Sequence, residues 1–249
     1  MTRKTRKQSN RSVNTTLKRF PTNTIVRPSN TVARRLHTPY TTWNIVLSKY
    51  VAPKGKPLQE VHAMEIGCYK GDATSWILTH LMKHSKSTLY AIDTFTGSPE
   101  YKGLAFNKIE SAFYKNIQAT HRENQVNVMK MTSFEALLQL NTRTPLPQFD
   151  LIFIDASHEA RDVMSDAVLS FPLLKVGGIL IFDDYTWHKL QPAWYCPKPA
   201  IDAFLYAYRP FLKLHAMKSQ VLVEKTTQQD VPQHVTNPHQ QKFVLKRKR

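Results

Sequence analysis

Two stretches of the chain decide its fold: LIFIDASH (Leu151–His158) and GGILIFDDY (Gly177–Tyr185). Each is a short run of large apolar residues that stops at acid, Asp155 in the first and Asp183 and Asp184 in the second. Continuous apolar runs of this length are typical of strands buried on both faces of a parallel sheet. Because open α/β sheets bind ligands at the carboxyl ends of their strands, we expect these acids at a ligand-binding rim.

The three acids also indicate a cation. Carboxylates held close together repel each other unless a proton or a cation relieves them, and carboxylate oxygens are the ligands that hard divalent ions prefer. The sequence therefore predicts a metal site at Asp155, Asp183 and Asp184. The alternative is that the consecutive acids cap a turn while Asp155 holds a cofactor or backbone. His158, three residues after Asp155, is a candidate base because the unperturbed pKa of histidine is about 6.5.

Strand and helix patterns alternate along the middle of the chain. Strands are predicted at residues 61–67, 88–93, 126–131, 149–155 and 177–184, and near 211–216 and 220–224. Helices are predicted at residues 40–51, 74–83, 108–120, 134–140, 161–171 and 200–208. This alternation favours the α/β class with a doubly wound, mostly parallel sheet.

The basic charge lies at the two ends of the chain. The net charge is +17, yet residues 1–59 hold 13 Lys and Arg with no acid, and residues 226–249 hold five against one Asp. Residues 60–225 are therefore neutral. We expect a disordered basic tail over residues 1–36, an N-terminal helix and linker over 37–59, the α/β domain over 60–225 and a second basic tail over 226–249.

Composition also bears on compartment and partners. Two cysteines make no disulfide framework, and neither a membrane-spanning run nor a secretory signal is visible, so we expect a cytoplasmic protein. The terminal KRKR allows a nuclear location, and an organellar transit peptide is less favoured. Nucleic acid could bind the basic tails, but these lack interleaved aromatic residues, so this partner is not favoured.

A glycine-containing turn follows the first predicted strand. It reads Glu65-Ile-Gly-Cys-Tyr-Lys-Gly71, and glycines at such a strand–helix junction let a ligand approach the backbone. The dinucleotide pattern is absent, since Tyr69 stands where its middle glycine would be. Asp93 ends the second strand, where an acid suits ribose hydroxyls; the alternative is a turn or capping role.

The segments VHAMEIGCYKGDAT, LYAIDTF, FDLIFIDASHEARDVMSDAVLSFPLLKVGGILIFDDYTW and PAIDAFL resemble the class I S-adenosylmethionine-dependent methyltransferases. Within these, they are most similar to the small-molecule O-methyltransferase branch related to macrocin and mycinamicin sugar methyltransferases. The resemblance covers about residues 60–225. It implies a seven-stranded, Rossmann-like sheet with a reversed last strand and S-adenosylmethionine lying across the ends of strands one to four.

The resemblance also implies roles for single residues. The cofactor would contact Glu65, Gly67 and Gly71 with its methionine part and Asp93 with its ribose. Thr132 and Ser133 match the segment that usually flanks the adenine, and Cys68 and Asp155 are further candidate cofactor contacts. In metal-dependent relatives, magnesium sits at the positions of the three acids. Trp187, Trp194 and Tyr195 lie in a segment that commonly forms part of the acceptor pocket. Apart from the resemblance, Asp162 and Asp166, four residues apart on the following helix, are expected to be a solvated face or helix-start charges.

Together these features predict a metal-assisted O-methyltransferase for a small hydroxylated acceptor such as a sugar or a catechol-like compound. The three acids would hold Mg²⁺ or another divalent ion, and His158 would take the proton. One alternative is an RNA or protein methyltransferase whose basic tails bind the polymer. Another is a non-catalytic scaffold with a cofactor-binding fold.

Overall fold

The computed structural model describes residues 40–51, 55–97, 107–187 and 192–227. The predicted tail over residues 1–36 and nearly all of the tail over 226–249, with its KRKR sequence, lie outside these residues. No helix within the described ranges is long and apolar enough to cross a membrane.

Seven strands form one sheet in the described part of the chain, in the order β3-β2-β1-β4-β5-β7-β6. The strands are β1 (His62–Ile66), β2 (Thr88–Ile92), β3 (Val126–Met129), β4 (Phe149–Ile154), β5 (Leu174–Phe182), β6 (Leu212–Met217) and β7 (Val221–Lys225). β1 to β5 pair in parallel, and β7 runs antiparallel to both β5 and β6. The predicted doubly wound sheet and its reversed last strand are thus confirmed.

Helices cover both faces of the sheet. They are α1 (Tyr40–Val46), α2 (Asp72–His80), α3 (Asn107–Gln118), α4 (Ser133–Asn141), α5 (Ala160–Ser170) and α6 (Pro197–Tyr208). Successive residues of a strand point to opposite faces. Leu151 and Phe153 of β4 accordingly pack in the core with α1, α2 and α3, whereas Ile152 and Ile154 pack in the core with α4, α5 and α6. This two-sided burial explains the continuous apolar runs in the sequence.

The helix at the start of the described chain is part of the core. α1 continues into a 3-10 turn, Leu47–Tyr50, and Trp43 and Leu47 are fully buried. The hydroxyl of Tyr50 donates a hydrogen bond of 2.8 Å to the carbonyl of Asp150 in β4. The apolar face predicted for residues 40–51 therefore packs on the sheet.

Gly67, directly after β1, allows the ends of two strands to come together. Its φ is +86°, and an added Cβ would lie 2.1 Å from the backbone oxygen of Asp155 and 2.6 Å from Cα of Ala156. The amide of Asp155 donates to the carbonyl of Ile66 at 2.8 Å, so the ladder between β1 and β4 continues to this point. A side chain at position 67 would push the two strand ends apart.

The replacement Gly67→Ala tests this close approach against a matched control, Gly177→Ala. Gly177 has a similar φ of +81°, but an added Cβ would meet nothing within 4 Å. In both variants, strain of the left-handed backbone should lower the free energy of unfolding by about 1 kcal/mol. In Gly67→Ala, overlap with backbone atoms should lower it by about 2 kcal/mol more. Chemical denaturation measures both losses; equal losses would contradict the proposed close contact.

Candidate active site

A small cleft lies at the carboxyl edge of the sheet, where β4 and β5 end. Its empty volume is about 220 Å³, and its lining includes Asp155, Ser157, His158, Asp183, Asp184 and Pro197. The strands are parallel and in register, with Ile154 opposite Phe182, so the residues that follow them come together. The predicted acids and the predicted base thus line one cleft.

Asp155 and Asp183 are electrostatically disfavoured as anions. Asp155 lines the cleft and is exposed to solvent by surface area, but protein atoms around its carboxylate partly desolvate it. This desolvation, followed by repulsion from Asp183 and Asp184, raises the pKa of Asp155 well above its ordinary value. Burial likewise raises the pKa of Asp183, against the opposing effect of a hydrogen bond from Gln220. No described residue donates a hydrogen bond to the Asp155 carboxylate, so a ligand could satisfy it.

Asp184 is turned toward His158. Its φ is +55°, and its Oδ2 lies 2.7 Å from Nε2 of His158. The imidazole ring also stacks on the indole of Trp187, with the centroids 4.5 Å apart and the planes 20° apart. The carboxylate and the indole together fix the orientation of the imidazole. The sequence predicted that His158 lies beside Asp155. In the structure, the imidazole of His158 is hydrogen-bonded to Asp184.

The three acids were predicted to hold one metal ion. Among the described residues, no group of three or more His, Cys, Asp or Glu side chains is arranged to hold a metal. Asp184 pairs with His158, while Asp183 accepts hydrogen bonds from Gln220 Nε2 at 2.8 Å and from the Asp184 amide at 2.7 Å. Asp155 and Asp183 still offer the oxygen donors that Mg²⁺ prefers, since it is commonly bound by one or two carboxylates and completed by water or substrate. The three-acid site stays a prediction.

Glu65 is a buried carboxyl group at the end of β1. It is 1% exposed, and its Oε2 accepts a hydrogen bond of 2.5 Å from the hydroxyl of Thr74 in α2. Burial raises the pKa of Glu65 to about 8, although the Thr74 hydroxyl acts in the opposite direction. A nearby cation would stabilise the ionised form of Glu65.

The backbone between β1 and α2 carries the remaining predicted methionine contacts. Gly71 has a φ of +82° and immediately precedes α2, and its added Cβ would come within 3.0 Å of the Phe113 ring. The Sγ of Cys68 is buried and faces the carbonyl of Ile92 at 3.6 Å. Cys68 could therefore contact a cofactor through its backbone rather than through its thiol.

Asp93 braces this turn. Its Oδ2 accepts hydrogen bonds of 2.8 Å from the amides of Cys68 and Tyr69, and its Oδ1 accepts one of 2.7 Å from the amide of Phe95. Tyr69 has a φ of +47°, a conformation that such bonds help to hold. Both the predicted ribose role and the alternative turn-capping role fit this position, and the capping bonds are present.

Thr132 and Ser133 begin α4. Thr132 forms a capping box with Glu135, whose amide donates to the Thr132 hydroxyl at 3.3 Å. The Ser133 hydroxyl lies near enough to Asp166 of α5 to act against the rise of its pKa. Both side chains thus lie against other protein groups, so the neighbouring backbone would make the predicted cofactor contacts.

Asp166 contradicts the expectation of a solvated helix face. It is 1% exposed, and its Oδ2 has no hydrogen-bond partner among the described residues. Val163, Ala167 and Ser170 share this buried side of α5 at the spacing of one helix face. That spacing in the sequence was the signal that Asp166 faces the core. Asp162, by contrast, is a first-turn acid and accepts a hydrogen bond from Ser157 at 2.8 Å.

Three further side chains lie at the site, and the sequence did not indicate their roles: Tyr40, Trp43 and Gln220. Trp43 donates from its indole nitrogen to Gln220, which in turn donates to Asp183. Burial, and then the nearby acids beginning with Asp72 and Glu65, raise the pKa of Tyr40 to about 12. The sequence predicted only that Tyr40 and Trp43 lie in the helix over residues 40–51.

Of the aromatic residues assigned to an acceptor pocket, Trp187 stacks on His158 at the cleft. Trp194 and Tyr195 form a short 3-10 turn before α6 and are 66% and 50% exposed. The turn leads into Pro197, which lines the cleft. Their contact with an acceptor stays a prediction.

Comparisons with known proteins bear on the domain and its fold. Residues 64–185, from β1 to the segment after β5, match the profile of a family described as a methyltransferase domain. A protein of Acanthamoeba polyphaga mimivirus, the uncharacterized protein R132, is 26% identical over 130 residues. This match spans 52% of the present chain and about half, 53%, of that relative.

Two solved structures share the fold at low sequence identity. The O-methyltransferase TomG from Streptomyces achromogenes, in complex with S-adenosylmethionine, has a TM-score of 0.53 and 15% identity, covering 68% of this chain and 74% of TomG. MycE, a methyltransferase of the mycinamycin biosynthetic pathway in complex with Mg and S-adenosylhomocysteine, has a TM-score of 0.55 and 16% identity. That alignment covers 80% of this chain and 53% of MycE.

The sheet order with its reversed last strand is the fold that the resemblance to class I methyltransferases implied. Residues 64–185 carry the profile of a methyltransferase domain, which is what this part of the chain resembles.

The buried Asp166 predicts an unusual dependence of stability on pH. Burial raises the pKa of folded Asp166 to about 7 from an ordinary value of 3.8. The folded state therefore binds the proton more tightly, and Asp166 reduces stability progressively as pH rises from about 4 to 7. Asp166→Asn cannot ionise and should be more stable than the wild type at pH 8, by on the order of 4 kcal/mol.

Denaturant titrations at pH 5 and pH 8 measure this effect. The gain in the free energy of unfolding of Asp166→Asn over the wild type should be larger at pH 8. The stability of Asp162→Asn, from the more exposed side of the same helix, should depend on pH as that of the wild type does. An advantage that is the same at both pH values would contradict an ionisable, buried Asp166.

Proposed function

We propose that this methyltransferase transfers the methyl group of S-adenosylmethionine to a hydroxyl oxygen of a small hydroxylated acceptor, with His158 as the general base. The observation that carries the proposal is the His158–Asp184 pair, 2.7 Å apart in the cleft beside Asp155. A histidine oriented by a carboxylate is suited to take a proton from a hydroxyl group near neutral pH.

The charge of the cleft supports binding of this cofactor. S-adenosylmethionine carries positive charge on its sulfonium and on its amino group. Neither Glu65 nor Asp155 is paired with a basic side chain among the described residues, and desolvation raises the pKa of both carboxyl groups. We infer that these two acids face the charged methionine part of the cofactor, and that Gly67 gives it room beside the strand ends.

The chemical step requires alignment and proton removal. The acceptor oxygen attacks the methyl carbon, the carbon–sulfur bond breaks, and its electron pair returns to sulfur, which becomes a neutral thioether. The hydroxyl proton passes to the imidazole of His158 and then to solvent. Since an ionised carboxylate only accepts hydrogen bonds, Asp184 would keep a proton on Nε2 of His158 and hold the ring in one orientation. Asp184 also stabilises the imidazolium that forms.

The divalent ion is the second part of the proposal. Asp155 and Asp183 would hold it, because both are oxygen donors with raised pKa values and neither is paired with a basic side chain. An ion there would acidify an acceptor hydroxyl and hold its vicinal neighbour. MycE, which was solved with Mg, is compatible with this assignment.

Replacement of His158 tests the base. His158→Ala should lower the turnover number by about 100-fold or more, because general-base catalysis contributes about that much. The dissociation constant of S-adenosylmethionine, measured by calorimetry, should change less than about threefold, since His158 lies on the acceptor side. His80, which stacks on Trp76 away from the cleft, supplies the control His80→Ala.

Turnover is measured with labelled cofactor against sugars, catechols, amines and RNA. Methylation of hydroxylated small molecules is expected. Transfer to amines or RNA alone would contradict the proposed acceptor class, and full activity of His158→Ala would contradict the proposed base.

Chelation tests the ion separately. EDTA should reduce turnover at least about tenfold, added Mg²⁺ should restore it, and Asp155→Asn should be slow with or without Mg²⁺. If the rate in EDTA equals the rate in Mg²⁺, the ion is not part of the reaction, and the assignment of His158 is unaffected.

A further inference from the structure

A buried glutamine connects the N-terminal helix to the catalytic edge of the sheet. Gln220 lies in the turn between β6 and β7 and is 7% exposed. Its Oε1 accepts a hydrogen bond of 2.9 Å from the indole nitrogen of Trp43, and its Nε2 donates one of 2.8 Å to Oδ2 of Asp183. One side chain thus joins α1 to the acid that follows β5.

The donors and acceptors of this chain of hydrogen bonds fix its direction. An indole nitrogen can only donate, so the amide oxygen of Gln220 must face Trp43. The amide nitrogen then faces Asp183 and presents a donor to it. The other oxygen of Asp183 accepts the amide of Asp184 at 2.7 Å. Both carboxylate oxygens of Asp183 are therefore held by donors whose positions the fold sets.

The same turn holds the neighbouring backbone. The carbonyl of Ser219 accepts a hydrogen bond of 2.8 Å from the amide of Tyr185, and β7 pairs with β5 up to Val221 opposite Phe182. Asp184, which orients His158, lies between these two attachment points. Its φ of +55° is an unfavourable conformation that the attachments on either side help to maintain.

The other end of the connection is rigid. Trp43 is fully buried, and its ring packs edge-on against Phe153 of β4 and against Trp76 of α2, with centroids 4.8 Å and 5.2 Å apart. The indole nitrogen therefore cannot move without repacking the core. This anchoring makes Trp43 a fixed reference point for Gln220.

We propose that Gln220, oriented by Trp43, is a positioning residue for methyl transfer: it holds Asp183, and through it the Asp184–His158 pair, in the geometry that the acceptor requires. The inference rests on the proposed function, because it assumes that the acids and His158 face the acceptor. A displacement of about 1 Å at such groups can lower a rate by about 100-fold, so a modest loss of order in the Asp183 region should be visible in turnover.

The test compares Gln220→Leu with a matched control, Gln125→Leu. Gln125 is also buried, at 5% exposure, but its amide donates to the backbone carbonyls of His84 and Ser87 near the opposite end of the strands. Both variants should lose thermal stability. Only Gln220→Leu should lower the turnover number, by about tenfold, at a temperature where both are folded.

Two further readouts separate positioning from general destabilisation. The dissociation constant of S-adenosylmethionine, measured by calorimetry, should stay within twofold in Gln220→Leu. Trp43→Phe keeps an aromatic ring but removes the N–H donor, and it should lower turnover about threefold. In the Gln220→Leu background, Trp43→Phe should lower turnover no further, because the indole acts only through Gln220.

The outcomes distinguish this inference from the proposed function. If the wild type methylates hydroxyl groups and Gln220→Leu is as active as Gln125→Leu, the positioning role is wrong and the function stands. If the wild type methylates only amines but the Gln220→Leu defect persists, the acceptor class is wrong and the positioning role is supported. Additive effects of Trp43→Phe and Gln220→Leu would overturn the connection, and a wild type that transfers no methyl group would overturn both proposals.

Discussion

The close approach of β1 and β4 is the constraint on which the site depends. It is possible only because position 67 has no side chain, since a Cβ would overlap the backbone of Asp155. The approach brings the glycine turn after β1 against Asp155, the first acid of the cleft. The proposed function needs these two segments in contact, because the methyl group must pass directly from sulfur to the acceptor atom.

The carboxylates along this edge are compensated in different ways. Glu65 has the hydroxyl of Thr74, Asp93 has three backbone amides, Asp183 has Gln220 and Asp184 has His158. The Asp155 carboxylate has no hydrogen-bond donor among the described residues, and it is repelled by its neighbours. The edge of the sheet therefore combines acids that build the site with an acid whose charge a ligand would have to balance.

The sequence predicted the sheet, its strand ends and the residues that meet at them. Strands buried on both faces give continuous apolar runs, and the acids directly follow these runs in the sequence. It could not predict which partner each side chain takes. His158 was expected beside Asp155 and pairs with Asp184, and Asp166 was expected in solvent and is buried. Gln220 is a polar residue in a hairpin turn, and only the packing of distant segments gives it a role.

The proposed geometry can be observed directly in a crystal structure with S-adenosylhomocysteine and a methyl acceptor bound. The account predicts the thioether sulfur beside Gly67 and the reacting acceptor oxygen between that sulfur and the imidazole of His158, within about 3 Å of a ring nitrogen. A cofactor whose sulfur lies away from Gly67, or an acceptor whose oxygen is out of reach of His158, would contradict it.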